Sequence, residues 1–353
     1  MMTELSQLIS QIEPLDPAWE ERAYERLDSL TKPRGSLGRL EELAARYVAI
    51  TREPMPSLDQ KWVVVFAADH GVVAEGVSAY PQEVTYQMVM NFLRGGAGIN
   101  VLSRLVKSRV AVVDIGVNHD FGQMPDLIIR KVAHGSRNMA KEPTMTREEA
   151  IRAILIGVEM AELATASGMD AMAAGDMGIG NTTPAAALAS VFTGRPVAAV
   201  TGRGTGIEDQ TLRHKIAVIN RALAMHQPSA EDPIGALAAV GGLEIAGIAG
   251  LILGTAAARR PLLLDGFIAT AGALVATALA PAVIDYLIAA HRSVEPGHQI
   301  MLDFLELKPL FNLQMRLGEG TGAALGLNLL EAGVRIYREM ATFEDAGVAE
   351  KKE

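Results

Sequence analysis

Trp62-Val-Val-Val-Phe-Ala-Ala68, closed by Asp69-His70-Gly71, decides the fold. A run this short and this rich in valine, with no polar face, reads as a strand buried on both sides. The pattern recurs. Val110-Ala-Val-Val113 stops at Asp114-Ile115-Gly116, Met172-Ala-Ala174 at Gly175-Asp176, and Pro261-Leu-Leu-Leu264 at Asp265-Gly266. Helical patterns follow or separate these runs, among them Arg147 to Ser167, Thr183 to Phe192 and Leu212 to His226. Strand, polar loop and helix in repetition predict an α/β fold, a parallel sheet flanked by helices. Ligands of such sheets bind beyond the carboxyl ends of the strands. Asp69, Asp114, Asp176 and Asp265 would share that edge, either as parts of a site or as turn formers.

Further out, Leu5 to Ala49 reads as helical, punctuated by Pro14, Pro17 and Pro33, and Gly320 to Glu339 reads as one long helix. The expected organisation is a Rossmann-like α/β domain over 56–335. N- and C-terminal helical segments, 1–55 and 336–353, pack on each other as a small helical domain. Ile245 to Ala258 and Phe267 to Ile284 are apolar but rich in alanine and glycine and closely bounded by charges. Tightly packed interior elements, not membrane spans, are expected.

With 32 Lys and Arg against 41 Asp and Glu, the net charge of −9 lacks the basic excess of a nucleic-acid binder. The absence of cysteine excludes disulfides, thiolate metal sites and cysteine nucleophiles. The opening Met-Met-Thr-Glu-Leu-Ser lacks the basic-then-apolar pattern of a secretory signal, so a cytoplasmic location is expected.

Gly175-Asp-Met-Gly-Ile-Gly-Asn-Thr-Thr-Pro184 follows a strand with glycines that free backbone amides, and Thr182 or Thr183 can cap the helix that Pro184 starts. A helix N-terminus of this kind attracts anions. A second loop, Thr201-Gly-Arg-Gly-Thr-Gly206, follows the strand-like Pro196 to Val200, with Arg203 and Lys215 within reach. Two such loops suggest a phosphorylated ligand. Neither is a Walker loop nor a full dinucleotide fingerprint, so ATP and NAD are disfavoured and no cofactor is expected. Glu319, between Gly318 and Gly320 at the start of the last long helix, is either a helix cap or a general base. The seven histidines are scattered and no serine has a nucleophile-elbow context, which favours the base.

Nine segments together carry more than any one. Thr31-Lys-Pro-Arg-Gly-Ser-Leu-Gly-Arg-Leu40, Ala68-Asp-His-Gly-Val-Val-Ala-Glu-Gly-Val-Ser78, Arg94-Gly-Gly-Ala-Gly-Ile-Asn100, Asp114-Ile-Gly-Val117, Ser136-Arg-Asn-Met139, Gly178-Ile-Gly-Asn-Thr-Thr183, Leu264-Asp-Gly-Phe267, His291-Arg-Ser293 and Gly318-Glu-Gly-Thr-Gly322 run nearly the length of the chain. In this order they resemble the nicotinate-nucleotide:dimethylbenzimidazole phosphoribosyltransferase family of cobalamin biosynthesis. The resemblance implies that nicotinate mononucleotide and 5,6-dimethylbenzimidazole give α-ribazole 5′-phosphate and nicotinate, in a homodimer without metal. It implies Glu319 as the base that takes the benzimidazole proton, with Asp176 as a second catalytic carboxylate. It places Ser78, Gln87 and Met88 near the benzimidazole. Gly178, Gly180, Gly204 and Lys215 fall near the phosphate, Asp265 and Ser293 near the ribose or nicotinate, and Asn181 and Thr182 among the substrate-binding residues. Asp176 is a departure, since the family usually carries glutamate before Met-Gly-Ile-Gly.

Two other classes compete. Asp69-His70, Asp114, His119-Asp120 and Asp176 could form a two-metal phosphoesterase, although no pair has the spacing that puts two ligands on one helical face. A nucleotide binder without turnover would use the glycine loops alone.

Overall fold

The computed structural model describes residues 1–349. The strands are β1 (Lys61–Ala68), β2 (Ser108–Gly116), β3 (Leu127–Ile129), β4 (Ala171–Met177), β5 (Leu262–Leu264) and β6 (Leu287–Ala289). All pair in parallel, in the order β3-β2-β1-β4-β5-β6. The four valine-, alanine- and leucine-rich runs are β1, β2, β4 and β5, as the sequence predicts. β1 is buried along its whole length because helices cover both faces of the sheet.

The strand order reverses direction between β1 and β4, which is where a doubly wound sheet opens a crevice at its carboxyl edge. Register puts Asp114 beside Ala67 and Asp176 beside Phe66, so Asp69, Asp114 and Asp176 come together at that edge.

The two apolar segments are helices Leu243–Ala257 and Phe267–Leu279, and the first is buried from Leu243 to Ala256. Among the described residues no helix is long and apolar enough to cross a membrane. Small residues are needed because backbones nearly touch. A Cβ on Gly250 would fall on the Ile154 carbonyl, and one on Gly157 on the Gly247 carbonyl, where helix Leu243–Ala257 crosses helix Arg147–Ala166. Gly250→Ala should therefore cost about 1–3 kcal/mol of stability, the usual range for overpacking, read by denaturant unfolding.

Pro196 to Val200 is corrected. Val197–Val200 forms one helical turn, followed by Thr201, whose hydroxyl donates to Val197 O at 2.7 Å. An apolar run this short carries no period that separates strand from helix. The capping expectation at the first loop is also corrected. Asn181 is the N-cap of helix Thr182–Thr193 and makes no side-chain cap bond; its Nδ2 donates to Asp176, the Thr182 hydroxyl accepts from Lys215, and Thr183 Oγ1 is buried without a partner.

The N-terminal stretch forms helices Met2–Ile9, Pro17–Ser29 and Arg39–Thr51. Ala23, Leu27, Leu30, Ala44 and Val48 cluster with Tyr337 of helix Thr321–Glu339. Leu30 bridges Thr342, and Arg26 Nε donates to Tyr337 O at 2.8 Å. Residues 350–353 of the expected C-terminal segment lie outside the described residues.

Candidate active site

Helix Thr321–Glu339 begins at the sheet's carboxyl edge, and its first free amides are taken by Asp265, just past β5. Gly322 N and Ala323 N donate to Asp265 Oδ1 at 2.7 and 3.0 Å, and Gly320 N to Oδ2 at 3.2 Å. Asp265 thus supplies the negative charge a helix N-terminus favours and anchors the Gly318–Gly320 turn. The His291 ring, after β6, stands 3.6 Å from the same carboxylate.

That arrangement frees Glu319 from capping its own helix. Its backbone sits at φ 62°, between Gly318 and Gly320, also left-handed at φ 83° and 87°. Such a conformation costs a non-glycine residue roughly 1–3 kcal/mol and persists where the surroundings impose it. The turn aims the carboxylate at the start of helix Gly98–Val106, where Ile99 N donates to Oε2 at 3.0 Å. Glu319 is 4% exposed. Burial pushes its carboxyl above the usual glutamate range, Asp265 adds to the shift, and the Ile99 and Gly98 amides oppose it. A carboxylate with a raised pKa is loaded with a proton as pH falls, so if Glu319 is the base that the resemblance implies, the acid limb of kcat/KM should lie above the ordinary glutamate value of 4.5. A pH–rate profile checks this.

Asp176 is bound differently. Asn181 Nδ2 donates to Oδ2 at 2.9 Å, and the carbonyl of Asp176 accepts from Glu319 N at 3.2 Å. Burial, followed by the carboxylates of Asp265 and Glu244, drives its pKa well up, with Asn181 opposing and Glu319 adding. Two carboxyl groups on adjoining turns are thus unequal. Burial and the neighbouring carboxylates favour protonation more at Asp176 than at Glu319, and a protonated carboxyl can donate a hydrogen bond.

The two glycine loops, separated by one helix and a short helical turn, meet at Thr182. Lys215 Nζ, on helix Asp209–His226, donates to Thr182 Oγ1 at 2.6 Å, and the Cβ position of Gly204 lies 2.8 Å from the same oxygen. Lys215 is 1% exposed, and burial lowers its pKa to about 8 against the pull of Glu295. A buried ammonium is costly without anionic compensation, so a phosphate is a fitting ligand for it. A cleft of about 360 Å³ opens beside Gly204, walled by Thr201–Arg203, Val294–Pro296 and Arg316.

Gly178 lies on the other loop. Its Cβ position would fall on the Ala68 carbonyl and within 3.1 Å of His70 Nε2, so no side chain fits. His70 and Glu244 form a fully buried pair at 2.9 Å. Burial alone would lower the His70 pKa, but the Glu244 charge and hydrogen bond raise it above its ordinary value.

A family model described as phosphoribosyltransferase (DBI_PRT) matches residues 12–348. A protein of Geobacter sulfurreducens named nicotinate-nucleotide--dimethylbenzimidazole phosphoribosyltransferase is 60% identical over 349 residues, 99% of each chain. One of the same name from Chloroflexus aggregans is 56% identical over 352 residues and 100% of each chain. The crystal structure of CobT from Thermus thermophilus superposes with a TM-score of 0.92 at 51% identity, covering 95% of this chain and all of that one. The chain belongs to this phosphoribosyltransferase family.

The remaining residues assigned by resemblance to the phosphoribosyltransferase family fall on elements tied to the glycine loops. Gln87, exposed, and Met88, half-buried, ride on helix Val84–Leu93, whose Thr85 hydroxyl accepts from Ile179 N at 3.1 Å. Ser78 is half-buried, and Ala79 N next to it donates to Thr205 Oγ1 of the second loop at 3.4 Å. Ser293 is buried, with its N–H on His298 Nδ1 at 2.9 Å, and the Cβ position of Gly266 lies 3.8 Å from its Cβ. Gly180, at φ 89°, packs on Val73.

Asp69 and Asp114 serve as turn formers. Asp69 Oδ2 accepts from Asn118 N at 2.8 Å, Asp114 Oδ1 accepts from Val117 N at 2.9 Å, and Lys131 Nζ stands 2.8 Å from Asp114 Oδ2. Asp120 points outward, 3.8 Å from His134. The carboxylates required by the phosphoesterase alternative are thus tied into separate contacts or, at Asp120, turned to solvent, and among the described residues no three His, Asp or Glu are grouped to hold a metal.

One residue escaped the sequence reading. Glu295 precedes Pro296 at the start of helix Pro296–Phe304 and looks like a cap, but it makes no cap bond. Its Oε1 accepts instead from Gly204 N at 2.8 Å.

Proposed function

We propose that this chain transfers the 5-phosphoribosyl group of nicotinate mononucleotide to 5,6-dimethylbenzimidazole, releasing nicotinate and giving the α-ribazole 5′-phosphate used in cobalamin biosynthesis. The single observation that carries the residue assignment is the division of the site. A buried carboxylate on a forced turn, Glu319, stands at one end, and a buried ammonium with a hydroxyl partner, Lys215, at the other.

Glu319 takes the benzimidazole N–H proton while the other ring nitrogen attacks the anomeric carbon. The new C–N bond forms as the bond to the pyridinium nitrogen breaks, and its electron pair returns to the nicotinate ring. That leaving group is already cationic at nitrogen and needs no acid, so the demands on the protein are one base and alignment of two rings. Asp176, whose surroundings favour its protonated form more than those of Glu319, donates a hydrogen bond to the acceptor and leaves proton removal to Glu319. Lys215, Thr182 and the amides of Gly178, Gly180 and Gly204 hold the phosphate. Asp265 acts on the ribose end through the turn it anchors, beside Ser293. Ser78, Gln87 and Met88 line the acceptor side, and Asn181 orients Asp176.

In-line attack inverts the β configuration of the donor. Proton NMR of the isolated product should show only the α anomer. A β product would require a covalent ribosyl intermediate and would refute the single-displacement scheme.

Homodimerisation in the cytoplasm belongs to the same proposal. It is supported by the resemblance and by an exposed apolar face, where Val101 and Leu105 lie one turn apart on helix Gly98–Val106 and Leu317 packs against Gly98. The domain division at 56–335, with the terminal helical segments packed together, is likewise proposed.

A further inference from the structure

The second glycine loop already holds a carboxyl group. Gly204 N, one of the amides assigned above to the donor's phosphate, donates to Glu295 Oε1 at 2.8 Å. Glu295 Oε2 is buried without a hydrogen-bond partner, and the carboxylate packs so closely on Gly202 that a Cβ there would overlap it. An unpartnered carboxylate oxygen at 7% residue exposure is a costly arrangement, and it stands in the field of Lys215. Arg316 Nη1 donates to Gly204 O at 3.1 Å and steadies the loop from the far side, while Arg203 is engaged by Asp209 and Ile207 O.

We propose that Glu295 is an internal stand-in for the phosphate: its carboxylate occupies the Gly204 amide in the free enzyme and must leave it when nicotinate mononucleotide binds. The inference rests on the phosphate-site reading above. A carboxylate and a phosphate seek the same donor, and both cannot accept from one N–H or lie side by side at full charge. Displacing Glu295 therefore takes binding energy that a free phosphate ion lacks and a nucleotide supplies through its ribose and pyridinium ring. Glu295 thereby tunes the loop toward the whole donor and against inorganic phosphate.

The test compares two ligands on Glu295→Gln, which keeps shape and an amide-accepting oxygen but removes the charge. A neutral hydrogen bond is roughly half as strong as a charge-assisted one, so nicotinate mononucleotide should bind about 5-fold more tightly to the variant. Inorganic phosphate should gain at least as much as a competitive inhibitor. Nicotinate riboside, which lacks the phosphate, should bind both proteins alike. A nucleotide affinity that is unchanged or weaker in the variant, or a riboside affinity that shifts equally, overturns the proposal.

Lys215→Met separates this failure from failure of the underlying reading. If Lys215→Met leaves nucleotide affinity intact, the phosphate lies elsewhere. If it weakens binding while Glu295→Gln gives no gain, only the stand-in is wrong. A crystal structure of the wild-type enzyme with nicotinate mononucleotide reads the same question without a variant: the Gly204 amide should be on a phosphate oxygen, with Glu295 out of hydrogen-bonding reach. Glu295 still on that amide contradicts the proposal.

Discussion

Glu319→Gln is expected to lower turnover by about 10²- to 10⁴-fold, the range a positioned base contributes. The substitution preserves volume and can still accept from Ile99 N, the bond that holds the carboxylate now. What it removes is basicity. Because the Glu319 carboxylate is held on Ile99 N and has no contact with Thr182 or Lys215, nicotinate mononucleotide should bind the variant within a few-fold of wild type, so the loss falls on kcat. Structure and catalysis can be told apart further by pH. The acid limb set by the raised Glu319 pKa should disappear from the residual activity of the variant. Steady-state kinetics with calorimetric titration of the donor measure both.

Lys215→Met is expected to cut kcat/KM by about 10²-fold, equivalent to roughly 2.7 kcal/mol and within the range for hydrogen bonds to charged groups. Here the loss should appear mainly as a weaker donor. Methionine fills much the same space, and removing a buried ammonium relieves its desolvation, so the fold should not suffer. Burial lowers the pKa of the wild-type ammonium to about 8. It is protonated below that value and neutral above it, so donor affinity should hold below about pH 8 and weaken as pH rises through it. In Lys215→Met that alkaline loss should vanish. Affinity for nicotinate alone, which has no phosphate, should be the same in both proteins.

Much of the fold is legible in sequence because a parallel sheet covered on both faces demands uninterrupted apolar runs, and β1, β2, β4 and β5 are such runs. β3 and β6, Leu127–Ile129 and Leu287–Ala289, are three residues each at the sheet edges, as short as β5, but they lack the closing Asp-Gly that marks β5. Val197–Val200 is too short to have a period, and its helical turn is set by what surrounds it. Glu319 could be singled out because glycines flank it and no other base has a suitable context. The direction its carboxylate takes could not, since it depends on Asp265 occupying the helix start first, a contact across 55 residues of chain. Asp265 itself looked like one of four similar aspartates, and only the packing separates it and Asp176 from Asp69 and Asp114, which tie down loops. The roles of Glu295 and Glu244 could not be read locally, because their partners, Gly204 and His70, are distant in the chain.

The most direct test of base-assisted phosphoribosyl transfer is a mass-spectrometric time course of purified protein with nicotinate mononucleotide, with and without 5,6-dimethylbenzimidazole, in the presence of a chelator. With base, nicotinate and α-ribazole 5′-phosphate should accumulate in equal amounts, and without base the nucleotide should remain intact. Nicotinate and ribose 5-phosphate formed without base, or nucleotide recovered unchanged with it, would contradict the account.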